Sequence, residues 1–436
     1  MRNLSISLFF ALLLGSTDFG QLVRGAKRSE PLIRSVNQVG LPNLTKPTAI
    51  VGATLIDGRG GRPARNTVVI VRGNRIIHVG SRKATFVPRD AQVVDARGLT
   101  LMPGLIDAHF HIDGDTTLPA LYLTRGVTSI REPGAWIEEY DPAIAGTAPP
   151  PRLFLAGPHL DSPPPAFPED AFIVRDADEA RMAVNRFADQ GASVIKIYFR
   201  LPLGLIKAVV DAAHSRGLPV TCHLEIVEAT DAIRAGVDGV EHVTSFGTSL
   251  IPLREAEKYR QDVIADNNAR QDGRYDVWSK VELESSRLKS LLKLMVDRKI
   301  FFSPTLAAFE RRERADGETE IQSRGFSNML AFVGIAKRAG VRIVVGSHSS
   351  VRHAERGWAY QRELELLVEA GLTPMQAIEA STMQNARFFR IQDRLGSIEQ
   401  GKLADLILIE GDPSKDITVM RNVRGVMLNG KWIVTP

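Results

Sequence analysis

Cysteine is almost absent from this sequence. Cys222 is the single cysteine among 436 residues, which excludes an intramolecular disulfide, a CxxC motif and a cysteine-based zinc ribbon. Any metal site must therefore use nitrogen and oxygen ligands, and the nine histidines become the residues to follow. A G-x-G-x-x-G motif is also missing after the apolar segments, which argues against a dinucleotide-binding fold.

The sequence also lacks a strong excess of either charge. Lysine and arginine total 55 and aspartate and glutamate 50, so a net charge of +5 is spread over a large chain. Such a balance gives little support for nucleic-acid binding. The composition, 44% hydrophobic and 24% charged, is that of a globular protein and excludes collagen-like or broadly disordered chains.

The apolar run at the N-terminus is too short to cross a membrane, which takes about 20 residues. It extends from Leu4 to Leu14, follows Arg2 and precedes small polar residues, which is typical of a secretory signal peptide. We expect a signal peptide within residues 1–26, export to the periplasm or the exterior, and no membrane span after its removal. An N-terminal helix of the folded domain is the alternative, because no A-x-A cleavage site is present.

Short β-branched runs separated by turn residues occur at both ends of the chain. They predict a small antiparallel sheet over residues 48–103 and matching strands over residues 396–436. Because these two segments flank the middle of the chain, they can pair with each other. We expect one composite β-sandwich domain built from both chain ends.

The middle of the chain alternates short apolar runs with helical stretches. Eight such runs, between Leu105 and Gly346, predict parallel strands that helices cover. The expected fold class is α/β, with a (β/α)8 TIM-like barrel over residues 104–395 and an open doubly wound sheet as the runner-up. A charged, partly helical insertion over residues 249–289 follows the sixth predicted strand.

Histidines lie at the predicted carboxyl ends of three of these strands. His109 and His111 are two residues apart, so they share one face of the first strand and can bind one cation together. His223 and His242 end the fifth and sixth strands, at the barrel face where active sites are built. Cys222 alternates with His223 and is expected to pack in the helix layer.

Lys196 lies in an otherwise apolar strand and shares its face with Tyr198. Burial lowers the pKa of a lysine, and the neutral amine can act as a nucleophile, form a Schiff base or react with carbon dioxide. A lysine that reaches solvent along the strand is the structural alternative.

Two motifs flank these residues, PGLIDAHFH at residues 103–111 and GSIEQGKLADL at residues 396–406. With the strand of Lys196, with His223 and with Glu241 next to His242, they resemble the amidohydrolase superfamily, especially its imidazolonepropionase-like and prolidase-like members, over about residues 48–436. The resemblance implies a barrel with a composite β domain. It also implies hydrolysis of amide-type carbon–nitrogen bonds through hydroxide activated by one or two divalent metals, with zinc as the expected ion.

The resemblance also implies roles for individual residues. His109 and His111 are similar to the ligands of a first metal, and His223 and His242 to those of a second. Lys196 is similar to a carboxylated lysine that bridges two metals. Tyr198 is similar to a residue that contacts the substrate carbonyl. Apart from the resemblance, His159 follows the third predicted strand and is a candidate to line the substrate mouth, with a solvated loop histidine as the preferred interpretation.

One position departs from the family pattern. The superfamily usually has Gly-Thr-Asp at the end of the eighth strand, whereas residues 346–350 read GSHSS and put His348 in place of the acid. Imidazole can bind a metal or act as a base near pH 7, so His348 is predicted as a metal ligand and as the catalytic proton carrier. Glu225 is a second predicted catalytic residue, as a spare proton carrier. Glu241 is expected to point away from the site because it alternates with His242.

The sequence therefore predicts an exported, metal-dependent hydrolase of a small-molecule or short-peptide substrate, with a homo-oligomer left open. The missing acid motivates one alternative, a catalytically weakened barrel that serves as a binding module. Glu225 keeps a second alternative, an aminohydrolase that deaminates a ring amine.

Overall fold

The computed structural model describes residues 33–40, 46–313, 315 and 317–436. The predicted signal peptide at residues 1–26 lies outside these ranges. Among the described helices, none is long and apolar enough to cross a membrane.

The strands fall into three groups along the chain. The first group comprises β1 (Thr48–Leu55), β2 (Ala64–Arg72), β3 (Arg75–Ser81), β4 (Gln92–Asp95) and β5 (Leu99–Pro103). The second comprises β6 (Leu105–Asp107), β7 (Val127–Glu132), β8 (Arg152–Leu155), β9 (His159–Asp161), β10 (Ala171–Ile173), β11 (Ile195–Ile197), β12 (Val220–Cys222), β13 (Gly239–Glu241), β14 (Phe301–Ser303) and β15 (Arg342–Ile343). The last comprises β16 (Leu406–Glu410), β17 (Val423–Leu428) and β18 (Lys431–Val434).

Helices separate the strands of the middle group and follow its last strand. They are α1 (Leu118–Thr124), α2 (Asp141–Ala145), α3 (Ala177–Asp189), α4 (Leu203–Ser215), α5 (Ala229–Ala235), α6 (Gly247–Leu250), α7 (Leu253–Ala265), α8 (Arg270–Ser279), α9 (Ser286–Asp297), α10 (Leu306–Phe309), α11 (Glu320–Ala339), α12 (Ala359–Glu369), α13 (Pro374–Glu379) and α14 (Asn385–Phe388). Capping residues fix several of the starts. Thr319 accepts a hydrogen bond from the Gln322 amide at the start of α11, and Ser285 accepts one from the Leu288 amide at the start of α9.

Strands from both chain ends form one eight-stranded sheet in the order β18-β17-β16-β5-β1-β2-β3, with β4 paired to β1. Alternation along β2 shows why the sheet has two covered faces. Val69 and Val71 pack into one apolar cluster, and Val68 and Ile70 pack into another. The composite sheet expected from the sequence is present, but it is mixed and not antiparallel throughout, because β1 pairs in parallel with β4 and β5. The boundaries predicted for the domains stay predictions.

The middle strands form parallel sheets that make up the barrel. One sheet has the order β6-β7-β8, and the other has the order β10-β9-β11-β12-β13-β14-β15. Backbone hydrogen bonds link the sheets at both junctions: Ser193 donates to the Leu155 carbonyl at 2.8 Å, and Ala108 donates to the Val345 carbonyl at 2.8 Å. The predicted fold class, an α/β barrel with an additional β domain, is confirmed.

The barrel strands are shorter than the apolar runs that predicted them. β6 ends at Asp107 and β13 ends at Glu241, so His109, His111 and His242 lie just beyond the ladder. One backbone hydrogen bond crosses the barrel end beyond the strands: the His348 amide donates to the His109 carbonyl at 2.7 Å. The carboxyl ends of the strands thus bring the histidines together, as barrel geometry requires.

Candidate metal centre and active site

A cavity of about 470 Å³ opens beyond the carboxyl ends of the barrel strands. Nearly all side chains singled out from the sequence line it: His109, His111, His159, Lys196, Tyr198, His223, His242 and His348. Glu225 does not line the cavity and lies behind His223. The structure therefore gathers residues that are up to about 240 positions apart in the sequence, which parallel strand ends at one barrel face make possible.

His109 and His111 lie side by side after β6. Their Nε2 atoms are 2.9 Å apart, and Nδ1 of His111 lies 2.7 Å from the Glu132 carboxylate. Nδ1 of His109 lies 2.8 Å from Oε2 of Glu241, although the two atoms are not aligned as a hydrogen bond. Carboxylates of Glu132 and Glu241 thus face the two imidazole rings at Nδ1, on the side opposite to the Nε2–Nε2 contact.

The aspartate of the PGLIDAHFH motif holds this histidine pair in place. Oδ1 of Asp107 accepts hydrogen bonds from the amides of His109 and Ser347, each at 3.0 Å. Its Oδ2 accepts one from the Ser347 hydroxyl at 2.5 Å. Burial raises the pKa of Asp107 to about 7, against the effect of these hydrogen bonds. Asp107 therefore ties the end of β6 to the segment that carries His348.

His109, His242 and His348 form the tightest group of candidate ligands. One ring nitrogen from each lies within 4.8 Å of those of the other two. The rings of His109 and His348 are stacked with centroids 5.3 Å apart. Nδ1 of His242 is 2.7 Å from the Thr305 hydroxyl, which fixes the orientation of that ring.

Unusual backbone conformations cluster at this group. His242, Thr305, His348 and Ser349 all have positive φ, at 64°, 48°, 60° and 52°. L-residues other than glycine rarely adopt this region, and such strain concentrates at functional sites, where the surrounding fold has to hold it. The strained residues here are those that carry or contact the candidate ligands.

His223 is held from behind by Glu225. Its Nε2 lies 3.0 Å from Oε1 of Glu225, while its Nδ1 is buried without a hydrogen-bond partner. Glu225 also accepts a hydrogen bond from the Tyr259 hydroxyl at 2.6 Å and lies 3.4 Å from Arg274. Burial raises the pKa of Glu225, but the charge of Arg274 and these hydrogen bonds outweigh it and leave that pKa at about 2. This placement suits a residue that orients His223, and the proton-carrier role of Glu225 stays a prediction.

Glu241 corrects one expectation from the sequence. It was expected to point away from the site, yet its carboxylate contacts Lys196, and its Oε1 accepts a hydrogen bond from Thr221 at 3.0 Å. Alternation of side chains holds only within regular strand, and β13 ends at Glu241. The left-handed φ of His242 turns the chain there, so both neighbours reach the barrel interior.

Most of the histidines are held neutral. Burial, together with positive neighbours, lowers the pKa of His348 to about 3 and puts those of His109 and His242 well below the ordinary value. Burial also lowers the pKa of His223 to about 4, although Glu225 opposes the shift. His111 differs, because Glu132 outweighs the effect of burial and raises its pKa. Neutral imidazole is the form that binds a metal.

Lys196 is buried on β11, as its apolar strand suggested. Burial lowers its pKa to about 7, and no solvent-reaching conformation of the kind considered from the sequence is present. His159 also differs from one expectation: it lies on β9, buried, with its ring centroid 4.3 Å from that of Tyr198. β9 pairs in parallel with β10, which covers His159. The alternative of a solvated loop histidine is therefore wrong.

Residues of the insertion complete the cavity and were not singled out from the sequence. Arg270 and Arg274 project into it from α8, and Tyr275 of the same helix and Phe309 of α10, outside the insertion, add aromatic surface. The two arginines are four residues apart on one helix, a spacing that puts them on one face. That spacing was the only signal in the sequence, and it does not reveal which face of α8 the barrel covers.

The donor set fits a divalent metal. His111 and His242 each keep Nδ1 on a protein oxygen, and His223 keeps Nε2 on Glu225. The second nitrogens of His223 and His242 are then left for a cation, while Nε2 of His111 faces Nε2 of His109 at 2.9 Å. Protein groups behind a metal site fix the orientation of its ligands in this way. The buried, unpartnered Nδ1 of His223 is a polar atom that a bound cation would satisfy.

A sequence model of the amidohydrolase family matches residues 100–433. Ochratoxinase from Aspergillus niger is 25% identical, over 87% of this chain and 85% of that protein. An N-acyl-D-aspartate deacylase from Alcaligenes xylosoxydans xylosoxydans is 56% identical over 66 residues, which are 15% of this chain and only 12% of the deacylase.

Solved structures give a consistent comparison. A Xaa-Pro dipeptidase with bound methionine in its active site superposes with a TM-score of 0.69 at 25% identity, over 89% of this chain and 99% of that one. The putative prolidase from Bifidobacterium longum superposes with a TM-score of 0.71 at 25% identity, over 89% of this chain and 95% of that one. The structure of A. niger ochratoxinase superposes with a TM-score of 0.69 at 22% identity, over 90% of this chain and 97% of that one. At this identity the comparison supports the fold alone.

Proposed function

The chain belongs to the amidohydrolase family, and on that premise we propose that it is a metal-dependent hydrolase of amide-type carbon–nitrogen bonds. That it hydrolyses carbon–nitrogen bonds follows from the family and from its prolidase and ochratoxinase relatives. The dependence on metal is the part we add. The single observation that supports it is the group of three neutral imidazoles, His109, His242 and His348, whose candidate nitrogens lie within 4.8 Å of one another.

Six residues would hold the metal: His109, His111, Lys196, His223, His242 and His348. We propose zinc, because nitrogen-rich sites without cysteine suit it and the group offers several imidazoles. When bound, such an ion supplies a Lewis acid for the scissile carbonyl and a nucleophile that is available at neutral pH. His111 and His223 are kept in position by Glu132 and Glu225, so the protein sets the ligand directions in advance.

Other cavity residues act on the substrate directly. Burial raises the pKa of Tyr198, so its phenol stays protonated and can donate a hydrogen bond to the substrate carbonyl. His159 packs against the Tyr198 ring and holds it in place. His348 stands where the family pattern has an acid, and we propose that it handles the proton there, although burial lowers its pKa to about 3 and leaves it a weak base in the free protein.

Two metal stoichiometries are compatible with the donor set. With one ion, Lys196 keeps its contact with Glu241. With two ions, Lys196 would be carboxylated and its new carboxylate would bridge them. Conversion of the amine requires only carbon dioxide and the release of a proton, and burial in an apolar strand favours the neutral amine that reacts.

The test begins with metal analysis of the purified protein by mass spectrometry. Zinc at one or two equivalents is expected, with hydrolysis lost after chelation and restored by added zinc. The substrate panel compares dipeptides that end in proline, N-acyl amino acids, cyclic amides and nucleobases. A protein without metal or turnover would favour the binding-module alternative. Release of ammonia from nucleobases alone would favour the deaminase.

Export is part of the same proposal. Residues 1–26 would be removed as a signal peptide, and N-terminal sequencing of the protein recovered outside the cytoplasm tests this directly. A mature chain that still begins at residue 1 would contradict it.

A further inference from the structure

A second cavity, of about 350 Å³, lies at the amino ends of the barrel strands. Its volume is within the range of about 300 to 1,000 Å³ that ligand pockets occupy. Pro219 and Asp238 line it and directly precede β12 and β13. Phe301 and Arg342 also line it and are the first residues of β14 and β15. The catalytic cavity lies beyond the carboxyl ends of the same strands, so this second cavity, the amino-end cavity, opens at the opposite end of the barrel.

The segment at and after α14 closes this end of the barrel. The rings of Phe388 and Phe301 are stacked, with centroids 5.0 Å apart. A β-carbon at Gly239 would lie 2.8 Å from the Phe388 ring, so glycine leaves the room that this ring needs. Phe388 is thereby held against the strand ends, and its neighbours Arg387 and Arg390 join the lining of the amino-end cavity.

Positive charge dominates that lining. The charged residues of the amino-end cavity are Arg298, Lys299, Arg342, Arg387, Arg390 and Asp238. Within the described part of the chain, no carboxylate forms an ion pair with any of the first four. Burial and the positive charge of Arg387 both lower the pKa of Arg342. Like charges therefore line one cavity without acids between them, an arrangement that an anion would stabilise.

The acid of the cavity is already engaged. Oδ2 of Asp238 accepts a hydrogen bond from the Val220 amide at 2.8 Å and lies 2.8 Å from Nε2 of His214. Its Oδ1 lies 3.5 Å from the Arg390 guanidinium, which also donates to the Gly217 carbonyl at 2.8 Å. Asp238 thus offsets part of one arginine and leaves the other cations uncompensated by described residues.

A further buried cation lies behind the aromatic wall of this cavity. Arg131 is fully buried, and its guanidinium carbon lies 3.8 Å from the Phe389 ring centroid and 4.5 Å from that of Phe388. Its Nε and one Nη have no hydrogen-bond partner. Burial, together with the charge of Arg390, lowers the pKa of Arg131 to about 9. The Phe388 ring separates this cation from the amino-end cavity, so Arg131 adds to the positive potential there.

We propose that the amino-end cavity is a second binding site of this protein, for a free, multiply charged oxyanion of the phosphate type. Four of its five cations are arginines, whose planar forks match phosphate oxygens in two-point geometry. A membrane surface is a poorer match than a small anion, because Arg342 and Arg390 are partly buried inside a cavity. This site is separate from the metal centre and does not depend on the proposed hydrolysis.

Isothermal titration of the purified protein with pyrophosphate at pH 7 and fixed ionic strength tests the site. We expect one pyrophosphate per chain. Arg342→Met and Arg387→Met should each weaken binding by about 10- to 100-fold, the range for a lost hydrogen bond to a charged group. Arg387 is exposed, so its variant removes a charge without opening the core. Arg254→Met removes an exposed charge from α7, away from the cavity, and is the matched control that should bind as the wild type does.

The His109→Ala variant distinguishes this site from the metal centre and should bind pyrophosphate as tightly as the wild type. Binding that is lost in His109→Ala and kept in both Arg342→Met and Arg387→Met would place the anion at the metal centre and overturn the proposal. No binding by the wild type, or an equal loss in Arg254→Met, would also overturn it. Flotation with phosphatidylglycerol vesicles is the last comparison: a protein that binds them but not pyrophosphate would show a membrane-binding surface instead.

Discussion

Lys196 and Glu241 are in contact at the barrel end, although β12 lies between the strands that carry them. Glu241 also reaches Thr221 on β12 at 3.0 Å and lies 2.8 Å from Nδ1 of His109. One buried carboxylate therefore joins the lysine to a candidate metal ligand. Carboxylation of Lys196 would place an anion beside the Glu241 carboxylate where the amine now lies, so metal cations are needed to offset the added negative charge.

The first prediction concerns this coupling between carbon dioxide and metal. We expect protein loaded with zinc in bicarbonate to hold two ions per chain and protein loaded without carbon dioxide to hold fewer, because the carbamate supplies the bridging oxygens. Elemental analysis measures the stoichiometry. Lys196→Met should remove the bicarbonate effect, whereas Lys207→Met, at an exposed lysine of α4, should retain it. Equal zinc content in all conditions argues against carboxylation.

His109→Ala should remove both metal and activity. His109 contacts His111, Glu241 and His348, so its loss opens the centre of the ligand group. Loss of a residue that supports a metal ligand typically lowers activity by about 10- to 100-fold, and we expect the loss of turnover here to be larger. His214→Ala is the control, because His214 is exposed on α4 and pairs with Asp238. A His109→Ala protein that keeps its full zinc content and turnover would contradict the assignment of His109 as a metal ligand.

The aspartate of the GSIEQGKLADL motif has a structural role that an unfolding experiment can measure. Asp405 forms a buried two-point ion pair with Arg152, at 2.6 and 3.0 Å, which ties the composite sheet to β8 of the barrel. Asp405→Asn leaves a buried guanidinium without its counter-charge, so we expect a loss of about 3–5 kcal/mol in the free energy of unfolding.

Denaturant unfolding with a double-mutant cycle isolates the pair. Arg152→Met combined with Asp405→Leu should be less destabilised than either single variant, because it leaves no unpaired charge. Additive losses would show that the two residues act independently. Asp412→Asn, at a surface turn, is the control for an aspartate change in the same part of the chain.

Glu363 on α12 should make stability depend on pH. Burial raises its pKa to about 8, although Oε2 accepts a hydrogen bond from the Ala307 amide at 2.8 Å. The folded state therefore holds a proton that the unfolded state releases above its ordinary pKa of 4.5. The contribution of Glu363 to the free energy of unfolding is therefore most favourable at low pH. It falls by up to about 1.4 kcal/mol per pH unit as the pH rises from about 4.5 to about 8.

Glu363→Gln removes that titration and keeps the acceptor for Ala307. Compared with the wild type, the variant should lose less stability between pH 5 and pH 8 in urea unfolding series. Glu355→Gln, at an exposed position, should follow the wild-type curve. Parallel curves for Glu363→Gln and the wild type would mean that Glu363 does not carry the extra proton.

Local pattern was enough to predict the fold class and the family. Alternating β-branched runs at both ends, and apolar runs separated by helices between them, are set by side-chain periodicity, which the sequence shows directly. The His109 and His111 pair and the GSIEQGKLADL motif are contiguous, so their signals survive without any knowledge of the fold. The departure at His348 was visible for the same reason.

Direction beyond the strand ends was not predictable in this way. Alternation of side chains, which assumes a regular strand, predicts that Glu241 points away from the site. The positive φ of His242, just beyond the end of β13, reverses that prediction. The sequence does not predict the burial of His159, because β10, which pairs with its strand, has no clear strand pattern in the sequence.

Side-chain periodicity and composition therefore specify which elements form, which residue types are available for chemistry, and that any metal site must use nitrogen and oxygen ligands. Which of those side chains meet depends on the folded arrangement. In the fold, Glu225 contacts Tyr259 and Arg274, and Glu241 contacts Lys196. Nε of Arg270 is buried without a hydrogen-bond partner. These pairings join residues far apart in the chain, and their energies depend on burial and distance, which no local pattern encodes.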